Sequence, residues 1–212
     1  MKKLLLLPIL FSSLFGENIV VKITKDIPYI YTTDSGEKVK VERIQDVNNR
    51  LTDDYTKTSR PCPPFCVQPT HVYPGINNFE EIELLKFMKD EVATGKGVVI
   101  DARLKSWFEL ETIPSAINIP FPIMQNASEE KAKKIFTLLG MTIDTDGTWN
   151  FSKAKDLAIF CNGVWCAQSH HLISGLLKHH YPKSKIFYYR SGFQGWKLLG
   201  LTTIVHKEIK KD

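Results

Sequence analysis

The chain has 212 residues, 43% of them apolar, enough for one domain with a sizeable core plus an extension. Its formal net charge of +5 comes from scattered lysines and arginines, and the Lys207/Lys210/Lys211 end reads as a solvated tail, so nothing argues for DNA or RNA as a partner. The four cysteines fall in two close pairs, 62/66 and 161/166. Neither pair closes a long loop, so both suit redox or sulfur chemistry better than stapling.

In chain order, Met1-Lys2-Lys3 is a basic start, residues 4–15 are apolar, and Gly16 precedes Glu17. This is the pattern of a signal peptide over residues 1–16, too short and too interrupted by Pro8 to span a membrane. Its removal takes Lys2 and Lys3 and lowers the net charge from +5 to +3. The expectation is an exported, periplasmic bacterial protein with no membrane span after cleavage.

Residues 17–78 form an N-terminal extension. Residues 19–24 read as one β-rich run. Two more flank the turn signal Asp34-Ser-Gly36, which predicts a hairpin. Residues 46–60 are polar and loop-like. The prolines at 61, 63, 64 and 69 then forbid a helix interior or a central strand, leaving a stiff loop that carries Cys62 and Cys66. These two read as a local disulfide, as packed thiols, or as a redox pair facing Cys161. With His71 they fall short of a metal-ligand pattern, and no metal or cofactor is implied.

A domain over residues 79–206 follows. An amphipathic helix starts at Phe79, with Asn77 or Asn78 as its cap and Gly95 to Gly97 as its end. Residues 98–100 are a short buried strand with Asp101 and Arg103 at its carboxyl end. Residues 113–120 hold a turn and another strand. Ser128 opens a second helix through Leu139, and residues 141–155 read as a surface hairpin around Asp146-Gly147. Residues 157–160 are a strand covered on both faces, and they run into Cys161. From Gln168 a helix presents apolar residues at 172, 173, 176 and 177. Residues 185–189 are a further strand, 190–195 a loop, and Trp196 begins a last helix. The alternation predicts an α/β fold: a parallel sheet with helices on both faces. Asp101, Arg103, Cys161 and Arg190 then share one sheet edge. Cys161, between a strand end and a helix start, reads as a nucleophile, because free N–H groups there favour an anion. The bland reading is a buried, inert cysteine.

Asp101-Ala-Arg103 with Phe108, Ile113-Pro114 and residues 116–120, then Ile159-Phe-Cys161-Asn-Gly163, then residues 188–196 resemble a rhodanese-type sulfurtransferase domain over roughly residues 79–201. The resemblance implies a persulfide on Cys161, taken from a sulfur donor and passed to a thiol. Backbone N–H groups of the loop Asn162, Gly163, Val164, Trp165, Cys166 and Ala167 would cradle it. Asp101, Arg103 and Arg190 would support the site. The loop contains no Arg or Lys, so polysulfide or a carrier persulfide fits better than thiosulfate. Arg103, Lys105 or Arg190 would supply charge from neighbouring loops, with Glu109 or Glu111 as the partner of Arg103, and Thr112 stands where a histidine is common. Cys-x-Gly-x-x-Cys is similar to a known loop variant, in which Cys166 either resolves the persulfide or lines the loop. Bridging Cys161 to Cys166 would require an open loop to collapse. Ser169 reads as an N-cap, His170 and His171 as packing or solvent-facing groups, and Trp165 and Trp196 as walls. Competing functions are a thiol–disulfide oxidoreductase and a non-catalytic binding module. A cysteine phosphatase is disfavoured, because Ala167 stands where its arginine belongs. The extension reads as a lid or as the docking surface of a protein partner.

Overall fold

The computed structural model describes residues 19–206; the signal-peptide reading and the basic tail lie outside the described residues. In the extension, β1 (Tyr29–Asp34) and β2 (Glu37–Glu42) pair antiparallel across the expected turn, Asp34 opposite Glu37. Ile30 and Val41 turn inward, as strand alternation requires. Residues 19–24, expected as a strand, form none. The side chain of Gln45 takes the N–H groups of Val20 and Val21, so no ladder partner is needed.

The remaining elements are β3 (Asn77–Phe79), α1 (Glu81–Phe87) with a π-turn over Met88–Val92, β4 (Gly97–Asp101), α2 (Lys105–Leu110), β5 (Ala116–Asn118), α3 (Phe121–Gln125), α4 (Glu129–Leu138), the small hairpin β6 (Thr142–Ile143) and β7 (Trp149–Asn150), β8 (Asp156–Phe160), α5 (Gln168–Lys178), β9 (Ile186–Tyr189) and α6 (Gly192–Leu198). Strands β3-β9-β8-β4-β5 make one parallel sheet in that order. Asn77 and Asn78, expected as caps, lie in β3. Asn78 donates to the Thr70 carbonyl, and Glu83 accepts the N–H of Glu80 at the helix start instead.

Helices cover both faces, as the buried runs demand. Phe136, Leu172, Ile173 and Leu176 from α4 and α5 pack on Ile100, Leu157, Ile159 and Tyr188. On the other face α1, α6, the hairpin and Tyr55 pack on Val99, Ala158, Phe160 and Tyr189. Residues 157–160 of β8 are wholly buried, each large apolar side chain contributing about 1.5–3 kcal/mol. The extension is tied into this body by Ser115, whose hydroxyl meets Thr32 and whose N–H donates to Asp34 at 2.6 Å. Where α5 crosses α3, a β-carbon on Gly175 would lie 2.4 Å from the Met124 carbonyl oxygen. Gly175→Ala should therefore push the two helices apart and cost about 1–3 kcal/mol in a denaturant-unfolding experiment.

Candidate active site

The carboxyl edge of the sheet gathers the residues that the topology places there. Asp101 ends β4, Cys161 follows β8 and Arg190 follows β9. The loop after Cys161 is pinned to the start of α6: Phe193 N–H donates to the Cys161 carbonyl and Gln194 N–H to that of Asn162. This close approach needs a glycine. Gly192 has φ +59°, and a β-carbon there would lie 2.5 Å from the Cys161 carbonyl oxygen. Gly163 is not among the residues with positive φ. Its constraint is spatial, with the Gln194 side chain 3.0 Å from where its β-carbon would stand.

A turn closed by Cys166 N–H on the Gly163 carbonyl carries the chain into α5, whose N-cap is Ala167. Ser169 is not the cap. It is fully buried, its hydroxyl makes no full hydrogen bond, and its polar groups face Cys161. Cys161 and Cys166 are both free and buried, at 1% and 5% exposure. The Cys161 thiol donates to the Cys166 carbonyl at 3.1 Å, and Asn162 Nδ2 donates to Cys166 Sγ at 3.7 Å.

The thiols differ in acidity. Burial, and then Cys166 beside it, pushes Cys161 well above the usual thiol range. The neighbouring Cys161 thiol, and then backbone N–H groups of Gln168 and Asn162, favour the ionised form of Cys166, which falls to about 7. Cys161, the expected thiolate, is thus the less acidic of the two in the resting pair. Complete burial of Cys161 makes the difference.

Arg103 finds neither of its expected carboxylate partners. Its guanidinium grips Asp101 with Nε and Nη2, the shortest contact 2.6 Å, and donates to the Glu111 backbone carbonyl. Both members of the ion pair are fully buried. Thr112 donates to the same carboxylate. Burial opposes the charge of Arg103, yet Asp101 holds its pKa above the usual value. Lys105 is exposed and pairs with Glu109 within its own helix.

The extension reaches the site through residues 55–68. Tyr55, which lay unmarked in a polar stretch, is buried and bonded to both Arg103 and Asn162. Cys62 and Cys66 form a disulfide with Cα atoms 4.7 Å apart. Phe65 meets the Trp165 ring edge-on at 5.7 Å, and Arg60 lies 4.1 Å over the same ring. Trp165 Nε1 donates to Gln194. Gln68 N–H donates to the Val164 carbonyl, and the Gln68 carbonyl accepts from Arg190 Nη2 at 3.0 Å. Arg190 thus ties down this segment, residues 55–68, as a strap across the loop. Beside it, the His170 ring packs on Tyr188, and the ring nitrogens and the Tyr188 hydroxyl are buried with no hydrogen-bond partner. Burial, then His171 and Arg190, lowers the pKa of His170. His171 is exposed against Phe121, and Trp196 is buried with its N–H on the Thr202 carbonyl.

A parallel α/β sheet with a cysteine loop between its central strand and a helix start defines a class of thiol-bearing α/β domains. Residues 83–199 match the model of the rhodanese-like domain, and the chain belongs to that family. No curated protein matches the chain. Solved structures similar to it include a thiosulfate sulfurtransferase from Pseudomonas aeruginosa, at 17% identity and TM-score 0.45 over 62% of this chain and 21% of that one. An As-Sb reductase from Leishmania major shares 18% identity at TM-score 0.41, over 59% and 79% of the two chains. A 3-mercaptopyruvate sulfotransferase from Escherichia coli shares 17% at TM-score 0.40, over 57% and 43%. The aligned region spans about a fifth of the first of these proteins, and likenesses at this level concern the fold.

Proposed function

We propose that the protein is a sulfurtransferase or sulfane-sulfur carrier that forms a persulfide on Cys161. What carries the reading is the geometry of the thiol pair: a buried free cysteine at the strand end, its thiol on the Cys166 carbonyl, with a second free buried thiol in the same loop before the helix start. The thiol pair gives up one proton, and the form with the thiolate on Cys161 is the one that reacts. The Cys161 sulfur then attacks the sulfane sulfur of the donor. A new S–S bond forms, the donor's S–S bond breaks, and the leaving thiolate or shortened polysulfide departs with the electron pair. An acceptor thiolate attacks the outer sulfur in turn and regenerates the Cys161 thiolate. N–H groups at the start of α5 stabilise the anions. The loop lacks a cation and Arg190 is engaged by the strap, which supports polysulfide or a persulfide over dianionic thiosulfate as donor.

The facing thiols favour one alternative, a Cys161–Cys166 dithiol that cycles through a disulfide. Intact-protein mass spectrometry after incubation with polysulfide, and separately with thiosulfate, separates the two. Gain of one sulfur atom, reversed by excess thiol and larger with polysulfide, is the expected result. Loss of two hydrogens instead would favour the disulfide cycle, and no change would leave a binding module.

We also propose a periplasmic location. The Cys62–Cys66 disulfide supports it, since such bonds persist in oxidising compartments. Among the described residues no helix is long and apolar enough to cross a membrane. The part of the extension that meets the loop is occupied by intramolecular contacts, so a protein partner would dock on its outer surface.

A further inference from the structure

Tyr55 lies outside residues 83–199, the part that matches the family model. Its ring is held edge-on by Phe193 at 5.3 Å and Trp107 at 6.3 Å, and its backbone carbonyl accepts from Gln194 Nε2. Its hydroxyl sits between two groups of fixed character. Arg103 Nη1, 2.9 Å away, can only donate, so the phenol oxygen accepts there and its single proton goes the other way. That proton meets Asn162 Oδ1 at 2.8 Å.

This bond decides which way the Asn162 carboxamide points. With Oδ1 on Tyr55, Nδ2 faces Cys166 Sγ at 3.7 Å and Gln168 Oε1 at 3.5 Å. Flipped, the amide would set its N–H groups against the guanidinium side of the network and its oxygen against a thiolate. The chain therefore runs in one direction, from Asp101 through Arg103, Tyr55 and Asn162 to Cys166. Arg103, Tyr55 and Asn162 each donate to the next member, and Arg103 is anchored on the Asp101 carboxylate.

We propose that Tyr55 is a positioning residue of the sulfur site, supplied by the extension, which locks Asn162 so that its amide stabilises the Cys166 thiolate. The extension thereby completes the family domain's own loop. The inference rests on the thiol pair being the site, but its test needs no sulfur donor, so it stands or falls apart from the transfer reaction.

The test is a pH titration of thiolate ultraviolet absorbance in the intact protein. Cys62 and Cys66 are bonded to each other, so the 161/166 pair supplies the signal. Cys166→Ser should remove the step near pH 7. Tyr55→Phe keeps the ring contacts and should move that step up by about half to one pH unit, the size of one lost neutral hydrogen bond. Asn162→Ala should give a similar shift, and Tyr55→Phe added to it should give no more. Trp107→Phe, beside Tyr55 but outside the polar chain, should leave the step in place. An unmoved step in Tyr55→Phe, an additive shift in the double variant, or an equal shift in Trp107→Phe would overturn the assignment.

Discussion

Cys161→Ser is expected to take sulfur loading to background, a loss of about 10³-fold or more, as removal of a covalent nucleophile does. A serine hydroxyl cannot hold a sulfane sulfur. Cys166→Ser should behave differently. It removes the second thiol with which Cys161 titrates and leaves a buried thiol whose pKa stays above the ordinary range, since burial is the leading cause of its rise. Loading by the unaltered protein should rise with pH through about 7, as Cys166 ionises. In Cys166→Ser the rise should move above the ordinary thiol pKa, with loading at neutral pH slowed and not abolished. Loading rates against pH for the three proteins check this. Loss of all loading in Cys166→Ser with retention in Cys161→Ser would reverse the two roles.

Arg103→Met is expected to be the most destabilising of the simple substitutions near the site. It leaves the Asp101 carboxylate buried without its cation, a change that costs about 3–5 kcal/mol in comparable pairs. It also breaks the bonds to Glu111 and Tyr55 and the stacking over Phe193 at 4.3 Å. The transition temperature should fall by about 6–20 °C for a chain of this size. Adding Asp101→Leu should restore part of the loss, because the stranded charge is then gone. Thermal unfolding of the two variants measures both. If the single variant unfolds like the parent, the buried pair is not holding this edge of the sheet together.

The sheet and its edge were legible because β4, β8 and β9 are short apolar runs separated by helical patterns, and parallel topology then fixes which ends meet. Cys161, Asp101 and Arg103 followed from that alone. Tyr55 did not, since it is one aromatic in a polar stretch and its value depends on a contact 107 residues away in sequence. The partner of Arg103 was misplaced for a related reason. Asp101 is two residues away, but it is the last residue of β4, so strand alternation does not extend to Arg103. The run at 19–24 has strand composition but no neighbouring strand, so propensity lost to a single glutamine side chain. The acidity of the two thiols was also out of reach. Cys161 is buried in the fold, and a loop motif does not reveal how deep its cysteine lies.

The most direct test of the central claim is to locate the sulfur. The protein is loaded with polysulfide, its persulfide is trapped by alkylation, and the peptides carrying Cys161 and Cys166 are mapped by mass spectrometry. The extra sulfur on Cys161, with Cys166 alkylated as a plain thiol, is the predicted result. Sulfur confined to Cys166, or a Cys161–Cys166 disulfide with no extra sulfur, would contradict it.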